Sequence, residues 1–270
     1  MTRLVIFAGL GLTLLQAGKL ELTNVRPTYG VLGAPRPDSK VLPGDVFWLA
    51  FDMDNVKTDP AGKAVYSMGV EFLKDGKVLV GEKDKDRPQT ADNSLGGGRL
   101  PVFAKAEIGL DTQPGEYTMR VTVTDQTAKT SAVLERKFQV QPTAFGLVRL
   151  GTSYDQAGHI PAPMVGVPGQ FLYVNFAAVG FDRDKAQKQP NLQVDMNVLD
   201  EKGKAVLDKV EPGLVNAKNN VPEDVRLIPM QFRLTLNRPG KFTVELKASD
   251  LVSKKTSAVR FPVTVLANDK

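Results

Sequence analysis

"LDTQPGEYTMRVTVTD" runs from Leu110 to Asp125, and "LNRPGKFTVELKASD" from Leu236 to Asp250. The chain writes nearly the same line twice, and that line decides the fold. Tyr117, Met119, Val121 and Val123 alternate with Thr118, Arg120, Thr122 and Thr124. Phe242, Val244, Leu246 and Ala248 alternate with Thr243, Glu245, Lys247 and Ser249. Period two marks a strand with one face in a core. Pro114-Gly115 and Pro239-Gly240 suit the central positions of type II turns, where Pro presets φ and Gly accepts a positive φ. Asp125 and Asp250 close the strands at positions suited to Asx turns.

The repetition extends outward from this line in constant order, at an offset near 125 residues. "VRPTY" (Val25–Tyr29) returns as "VRLGTSY" (Val148–Tyr154), and "PGDVFWLAF" (Pro43–Phe51) as "PGQFLYVNF" (Pro168–Phe176). "GVEFLKDGKVL" (Gly69–Leu79) returns as "MNVLDEKGKAVL" (Met196–Leu207), "RLPVFAKAEIGL" (Arg99–Leu110) as "RLIPMQFRLTL" (Arg226–Leu236), and "KTSAV" at Lys129 recurs at Lys255. Two copies of this length are domains rather than solenoid units, because each is long enough to enclose a core. Each reads as short alternating strands, with Asp75-Gly76 and Lys202-Gly203 as hairpin turns and no sustained helical period after residue 18. The expectation is an all-β chain: two tandem β-sandwiches at 18–141 and 142–270. A short junction near Pro142 should restrict swinging between them.

The spacing D-x-x-P-G-x-Y-x-M-x-V at Asp111–Val121 resembles the strand of immunoglobulin-like domains that carries a corner tyrosine two residues before a core cysteine. Tyr117 stands at the tyrosine's place and Met119 at the cysteine's. The second copy keeps the pattern with Phe242 and Val244, where no corner hydroxyl exists. The layout of both copies is similar to immunoglobulin-like and fibronectin-like modules of exported bacterial proteins. That resemblance implies an immunoglobulin-like sandwich in each copy and no particular activity.

Compartment follows from the start of the chain. Arg3, the apolar run Leu4–Leu15 and the small residue Ala17 form a signal-peptide pattern over residues 1–17. The run is shorter than the roughly 20 residues of a spanning helix, and the mature chain has no apolar stretch long enough to span. There are no cysteines, hence neither disulfides nor a thioether lipid anchor. The expectation is an exported protein, periplasmic or extracellular. The net charge is +5 over 270 residues. Residues 18–141 balance 17 basic against 17 acidic residues, and residues 142–270 set 17 against 13. The excess is scattered, without the dense basic stripe and stacking aromatics that a nucleic-acid partner requires.

The inventory argues against an enzyme. The single histidine, His159, lies in the loop-like "YDQAGHIPAP" and is the only base available to a nucleophilic triad. Zinc and most transition metals lack their usual donors. Asp52, Asp54, Asn55 and Asp59 offer hard oxygens that suit Ca²⁺, but the full calcium-loop pattern is missing, and solvated loop carboxylates are the plainer reading. Asp182 and Asp184 stand in the corresponding loop of the second copy. No cofactor is expected. "SLGGGRLP" (Ser94–Pro101) departs from the phosphate-loop pattern and reads as a loop before a strand.

Trp48 is the feature that points to function. Parity sets Val46, Trp48 and Ala50 opposite to Phe47, Leu49 and Phe51, so Trp48 falls on an outer face. Tyr173, beside Phe171, is its counterpart. Outward aromatics stack on sugar rings or anchor protein interfaces; a loop or the neighbouring copy that covers them is the plainer alternative. The resulting expectation is a non-catalytic binding or structural module of the bacterial envelope or surface. Its partner would be an envelope protein or a polysaccharide, the latter held by Trp48 and Tyr173.

Overall fold

The computed structural model describes residues 18–81, 87–206 and 212–267; the expected leader at 1–17 lies outside the described residues. The first copy contains β1 (Glu21–Thr28), β2 (Lys40–Val41), β3 (Val46–Asp54), β4 (Lys63–Lys74), β5 (Lys77–Gly81), β6 (Gln89–Asp92), β7 (Arg99–Glu107), β8 (Gly115–Asp125) and β9 (Thr130–Val140). The second contains β10 (Gly146–Ser153), β11 (Val165–Gly166), β12 (Phe171–Val179), β13 (Leu192–Leu199), β14 (Gly213–Val215), β15 (Leu227–Thr235), β16 (Gly240–Asp250) and β17 (Thr256–Val265), with one short 3₁₀ turn at Ala217–Asn219.

Topology repeats as the sequence does. A small sheet β1-β3-β7 faces a larger one ordered β2-β9-β8-β4-β5, with β6 also on β4; the second copy gives β10-β12-β15 facing β11-β17-β16-β13-β14. Pairing is antiparallel except for β2 on β9 and β11 on β17, which are parallel in both copies. Even the irregularities recur. β1 and β10 each bulge, at Asn24 and Arg149, which hold φ of 50° and 55°.

The alternation read from Leu110–Asp125 is the burial pattern of β8: Tyr117, Met119, Val121 and Val123 are buried, and Met119, Val121 and Val123 are wholly so. One hydrophobic cluster is drawn from residues between Leu20 and Val140, and a second from residues between Phe145 and Val265 together with Tyr29 of the first copy. Tyr117 donates its hydroxyl to the Gln113 carbonyl at 2.8 Å, the corner hydrogen bond the resemblance implied. At the matching place in the second copy the Arg238 guanidinium lies 5.0 Å from the centre of the Phe242 ring.

The aspartates that end β8 and β16 are fully buried. Asp125 Oδ1 accepts the Thr127 and Ala128 N–H groups, the expected Asx turn, and Oδ2 accepts the Lys57 N–H at 2.8 Å. Asp250 repeats this, with Oδ1 on Val252 and Oδ2 on Ser253 Oγ and the Asp182 N–H at 2.9 Å. Each carboxylate thus pins the loop that follows the central strand of the facing sheet.

One local expectation is corrected. Gly115 and Gly240 hold φ of 144° and 145°, far from the value near 80° of a type II turn. They are the first residues of β8 and β16, where the chain is already extended. The type II geometry belongs to Pro43-Gly44 and Pro168-Gly169, with φ of 94° and 97° and closing bonds from Asp45 N–H to Leu42 and from Gln170 N–H to Val167. The outward residue corresponding to Arg120 in the second copy is Glu245. Arg120 sits between Glu71 and Glu135 on neighbouring strands. Glu245, opposite Arg260, is held by Arg260 and Lys247 and is only 3% exposed. The copies keep a cross-strand ion cluster at one place and reverse its signs.

The copies also touch. Leu42 and Leu110 pack with Val148, Ala177, Val179 and Leu227. Asp45, 5% exposed, accepts the Val46 and Arg149 N–H groups on Oδ1, both at 2.8 Å, and pairs with Arg36 through Oδ2 at 3.0 Å. Arg149 also donates Nε–H to the Gly44 carbonyl. Tyr29, from the first copy, is buried in the second cluster with Arg36 across its ring. Arg36 Nε, the one buried side-chain donor without an acceptor among the described residues, belongs to this guanidinium, which faces the Tyr29 π-system.

Candidate functional site

The sequence marks Trp48, and the structure shows what surrounds it. On β3 it is half-buried while Phe47 and Leu49 are wholly buried, as parity requires. Its strand partner on β7 is Lys105. The Lys105 ammonium lies 5.9 Å from the Trp48 ring centre, and Phe103, 42% exposed, meets the indole edge-on at 5.6 Å. Lys105 also pairs with Glu107 at 2.7 Å; that hydrogen bond holds the glutamate's carboxyl below its ordinary range.

The same arrangement occurs on the small sheet of the second copy. Tyr173 is half-buried on β12 opposite Arg233 on β15. Phe171 meets Tyr173 edge-on at 5.5 Å, and the Arg233 guanidinium lies 4.3 Å from the centre of the Phe171 ring. Both copies therefore place aromatic and cation side by side on the outer face. An arginine or lysine over a ring at such distances is held by the ring quadrupole, and the pair offers an apolar plane beside a positive charge.

Next to each pair, the edge of the small sheet leaves a lateral opening. In the first copy a cleft of about 580 Å³ runs from Trp48, Phe103 and Lys105 to Val70 and Phe72 of β4 and Val80 of β5. In the second a cleft of about 320 Å³ runs from Arg233 to Met196 and Val198 of β13 and to Val206. Val80 pairs with Phe72, and the Val206 N–H bonds to the Val198 carbonyl, so the two openings are one feature in duplicate. Trp48 also lines a smaller cleft, about 210 Å³, at the junction of the copies, where Asn175 stands on the far wall. There Asn175 accepts from Gln231 at 2.6 Å and donates to Ser153.

The acidic residues are arranged differently. Asp52 and Asp54 lie within β3 rather than in a loop. Arg99 binds both oxygens of Asp54, Thr23 donates to one of them, and Asn24 donates to Asp52 at 2.6 Å. The Arg99 and Thr23 hydrogen bonds hold the Asp54 carboxyl below its ordinary value. Asn55 takes φ of 63° and donates to the Lys19 carbonyl, while Asp59 caps its own turn through the Ala61 and Lys63 N–H groups. Asp52 and Asp54 thus share Arg99, Asn55 and Asp59 serve local bonds of their own, and among the described residues no group of three or more His, Cys, Asp or Glu side chains is placed to share a metal. In the second copy Asp184 caps a turn, and Arg183 reaches the carbonyls of Val221, Pro222 and Val225. His159 is exposed on a loop whose backbone is held by Asp155. The run Gly96–Gly98 is a loop ahead of β7, closed by Asn93 on the Gly97 carbonyl.

The cations opposite the aromatics, Lys105 and Arg233, escape a reading by sequence alignment because their offset is 128 rather than 125. Strand register reveals them. No helix among the described residues is long and apolar enough to cross a membrane.

No protein-family model matches this sequence, and no curated protein matches it. Solved structures align over most of it at low similarity. The C-terminal domain of the Streptococcus pyogenes antigen I/II-family protein AspA is 8% identical, with a TM-score of 0.30, over 92% of this chain and 100% of that one. The C-terminal domain of the Streptococcus agalactiae antigen I/II polypeptide BspA is 8% identical, with a TM-score of 0.30, over 91% and 100%. Dimeric latent PorU from Porphyromonas gingivalis is 11% identical, with a TM-score of 0.36, over 96% of this chain but 21% of that one. Likenesses this loose carry no functional argument.

Proposed function

We propose that the chain is a non-catalytic binding module of the bacterial envelope or cell surface. It would be exported by its leader, built from two immunoglobulin-like domains at 18–141 and 142–270, and would meet its partner at the outer faces that carry Trp48, Phe171 and Tyr173. The observation that carries this reading is the aromatic–cation pair repeated on the small sheets, Trp48 with Lys105 and Phe171–Tyr173 with Arg233. A strand that only packs a core needs its inward residues alone. A ring and a cation kept together on the outward side of both copies support a second requirement, which is contact with something outside.

A polysaccharide partner is favoured by the same pairs, with one refinement. The cations lie over the Trp48 and Phe171 rings, so a neutral sugar would have to displace them. An acidic sugar would instead place its carboxylate on the cation and its ring against the aromatic. The contacts at Asp45 support a fixed relation between the two faces, which suits a partner long enough to touch both.

The test is retention of residues 18–270 on washed envelope fractions. Wild-type protein should be retained and released by salt, and a Trp48→Ala/Lys105→Gln variant with unchanged melting should be lost. Equal retention of the two would remove the assignment.

A further inference from the structure

The two lateral clefts differ in one respect that concerns a different ligand. In the first copy the space between the sheets behind the cleft is filled by aromatic rings: Phe138 stacks on Phe47 at 4.8 Å and on Tyr117 at 5.8 Å. At the matching strand positions the second copy has Val263, Leu172 and Phe242. Its additional ring on β17, Phe261, lies one inward step along the strand, facing Tyr29 at 6.5 Å. Two rings at one end of the first core are thus replaced by smaller aliphatic side chains in the second, and the ring gained lies one step away. The cleft accordingly reaches inward to Phe242 and Val263, and Val263 is 1% exposed.

The mouth of this cleft is charged. Arg233 and Arg238 line it, each with its guanidinium over an aromatic ring, and neither pairs with a carboxylate among the described residues. The first copy has the neutral Gln113 where the second has Arg238, and the cation over its matching ring is an ammonium, Lys74, 4.9 Å from the Tyr117 centre, rather than a guanidinium. The apolar chamber and the second guanidinium are therefore both departures of the second copy from the first, and they occur at one place. A volume of about 320 Å³ is within the range of small-molecule sites. Two guanidiniums at the rim of a cleft with an apolar inner wall select a planar anion attached to an apolar body.

We propose that the cleft of the second copy binds an amphiphilic carboxylate, with its acyl chain between Met196, Val198 and Val263 and its head group on Arg233 and Arg238. Calorimetry on residues 18–270 with decanoate and decanol tests this. Decanoate should bind, and decanol should bind at least about tenfold more weakly, because it lacks the charge-assisted contacts. Val263→Phe, which restores the first copy's ring, should abolish decanoate binding. Arg233→Gln and Arg238→Gln, both at exposed positions, should each weaken decanoate about tenfold and leave decanol unchanged. If Val263→Phe fails to fold, the arginine variants decide. Absence of decanoate binding below its micellar concentration would overturn the proposal. So would equal affinities for decanoate and decanol, unchanged affinity in both arginine variants, or full binding by a folded Val263→Phe protein. Trp48→Ala should leave decanoate binding intact, so failure here and failure of the envelope-binding reading are separable.

Discussion

Asp45 joins the two copies, and its removal has a magnitude that follows from its contacts. The side chain is 5% exposed; Oδ1 holds the N–H groups of Val46 and Arg149, and Oδ2 holds the Arg36 guanidinium. Asp45→Ala leaves the Arg149 N–H without its acceptor and a largely buried guanidinium without its counter-charge. An orphaned buried donor costs about 1–3 kcal/mol, and breaking a buried ion pair from one side about 3–5 kcal/mol. The two overlap through the same carboxylate and do not add fully, so the expected loss is about 4 kcal/mol. Asp45→Asn keeps an acceptor for the N–H groups and forfeits the charge, so it should lose roughly half as much. The assay is urea unfolding of residues 18–270, followed by far-ultraviolet circular dichroism and by Trp48 emission, the latter reporting the first copy alone. In wild type the two curves should coincide, because the junction couples the copies. In Asp45→Ala they should separate. A loss below about 1 kcal/mol, well under either contribution, or coincident curves in the Ala variant, would refute the reasoning.

Other outcomes follow from the same structure. Asp125→Ala and Asp250→Ala should each destabilise by about 3 kcal/mol, measured by urea unfolding, since each carboxylate is fully buried and holds backbone N–H groups from two separate loops. Burial pushes the Glu245 carboxyl up, but its hydrogen bonds from Lys247 and Arg260 prevail and hold it below 4.5. A depressed folded value adds stability that is complete above the unfolded value and disappears as pH falls through the folded one. The stability gap between wild type and Glu245→Gln should therefore be flat at neutral pH and close as pH falls below about 4.5 in a urea series. With Arg99 on Asp54, millimolar calcium should move the wild-type melting temperature by less than about 1 °C in calorimetry, as expected without a site of useful affinity.

The sequence made the strands and their faces legible because a sandwich strand buries every second residue, and Tyr117–Asp125 obeys that rule without exception. The Asx turns were legible for a similarly local reason, since a buried aspartate at a strand end has its own following N–H groups within reach. What depends on register across strands was not. Lys105 opposite Trp48, Arg233 opposite Tyr173, and the reversed ion clusters around Arg120 and Glu245 require knowing which strand lies beside which. The junction was hidden for another reason. Asn24 and Arg149 occupy the same bulge, yet Asn24 bonds Asp52 within its own copy while Arg149 reaches Asp45 in the other. One backbone position serves a local contact once and a long-range contact once, and no pattern in a single chain separates the two. The clefts were illegible because they are defined by what is missing beside the small-sheet edge.

The central claim is that the outward rings beside the cations meet an envelope partner, with an acidic polysaccharide favoured. Its most direct measurement is Trp48 emission during titration of residues 18–270 with polygalacturonate, against an uncharged glucan. Trp48 is the only tryptophan, so the signal comes from the proposed surface alone. The account predicts a saturable change with the acidic polymer, reversed by salt and reduced by Lys105→Gln and Arg233→Gln, and none with the glucan. An unchanged spectrum with both, alongside retention on the envelope fractions by the Trp48→Ala/Lys105→Gln variant, would contradict it.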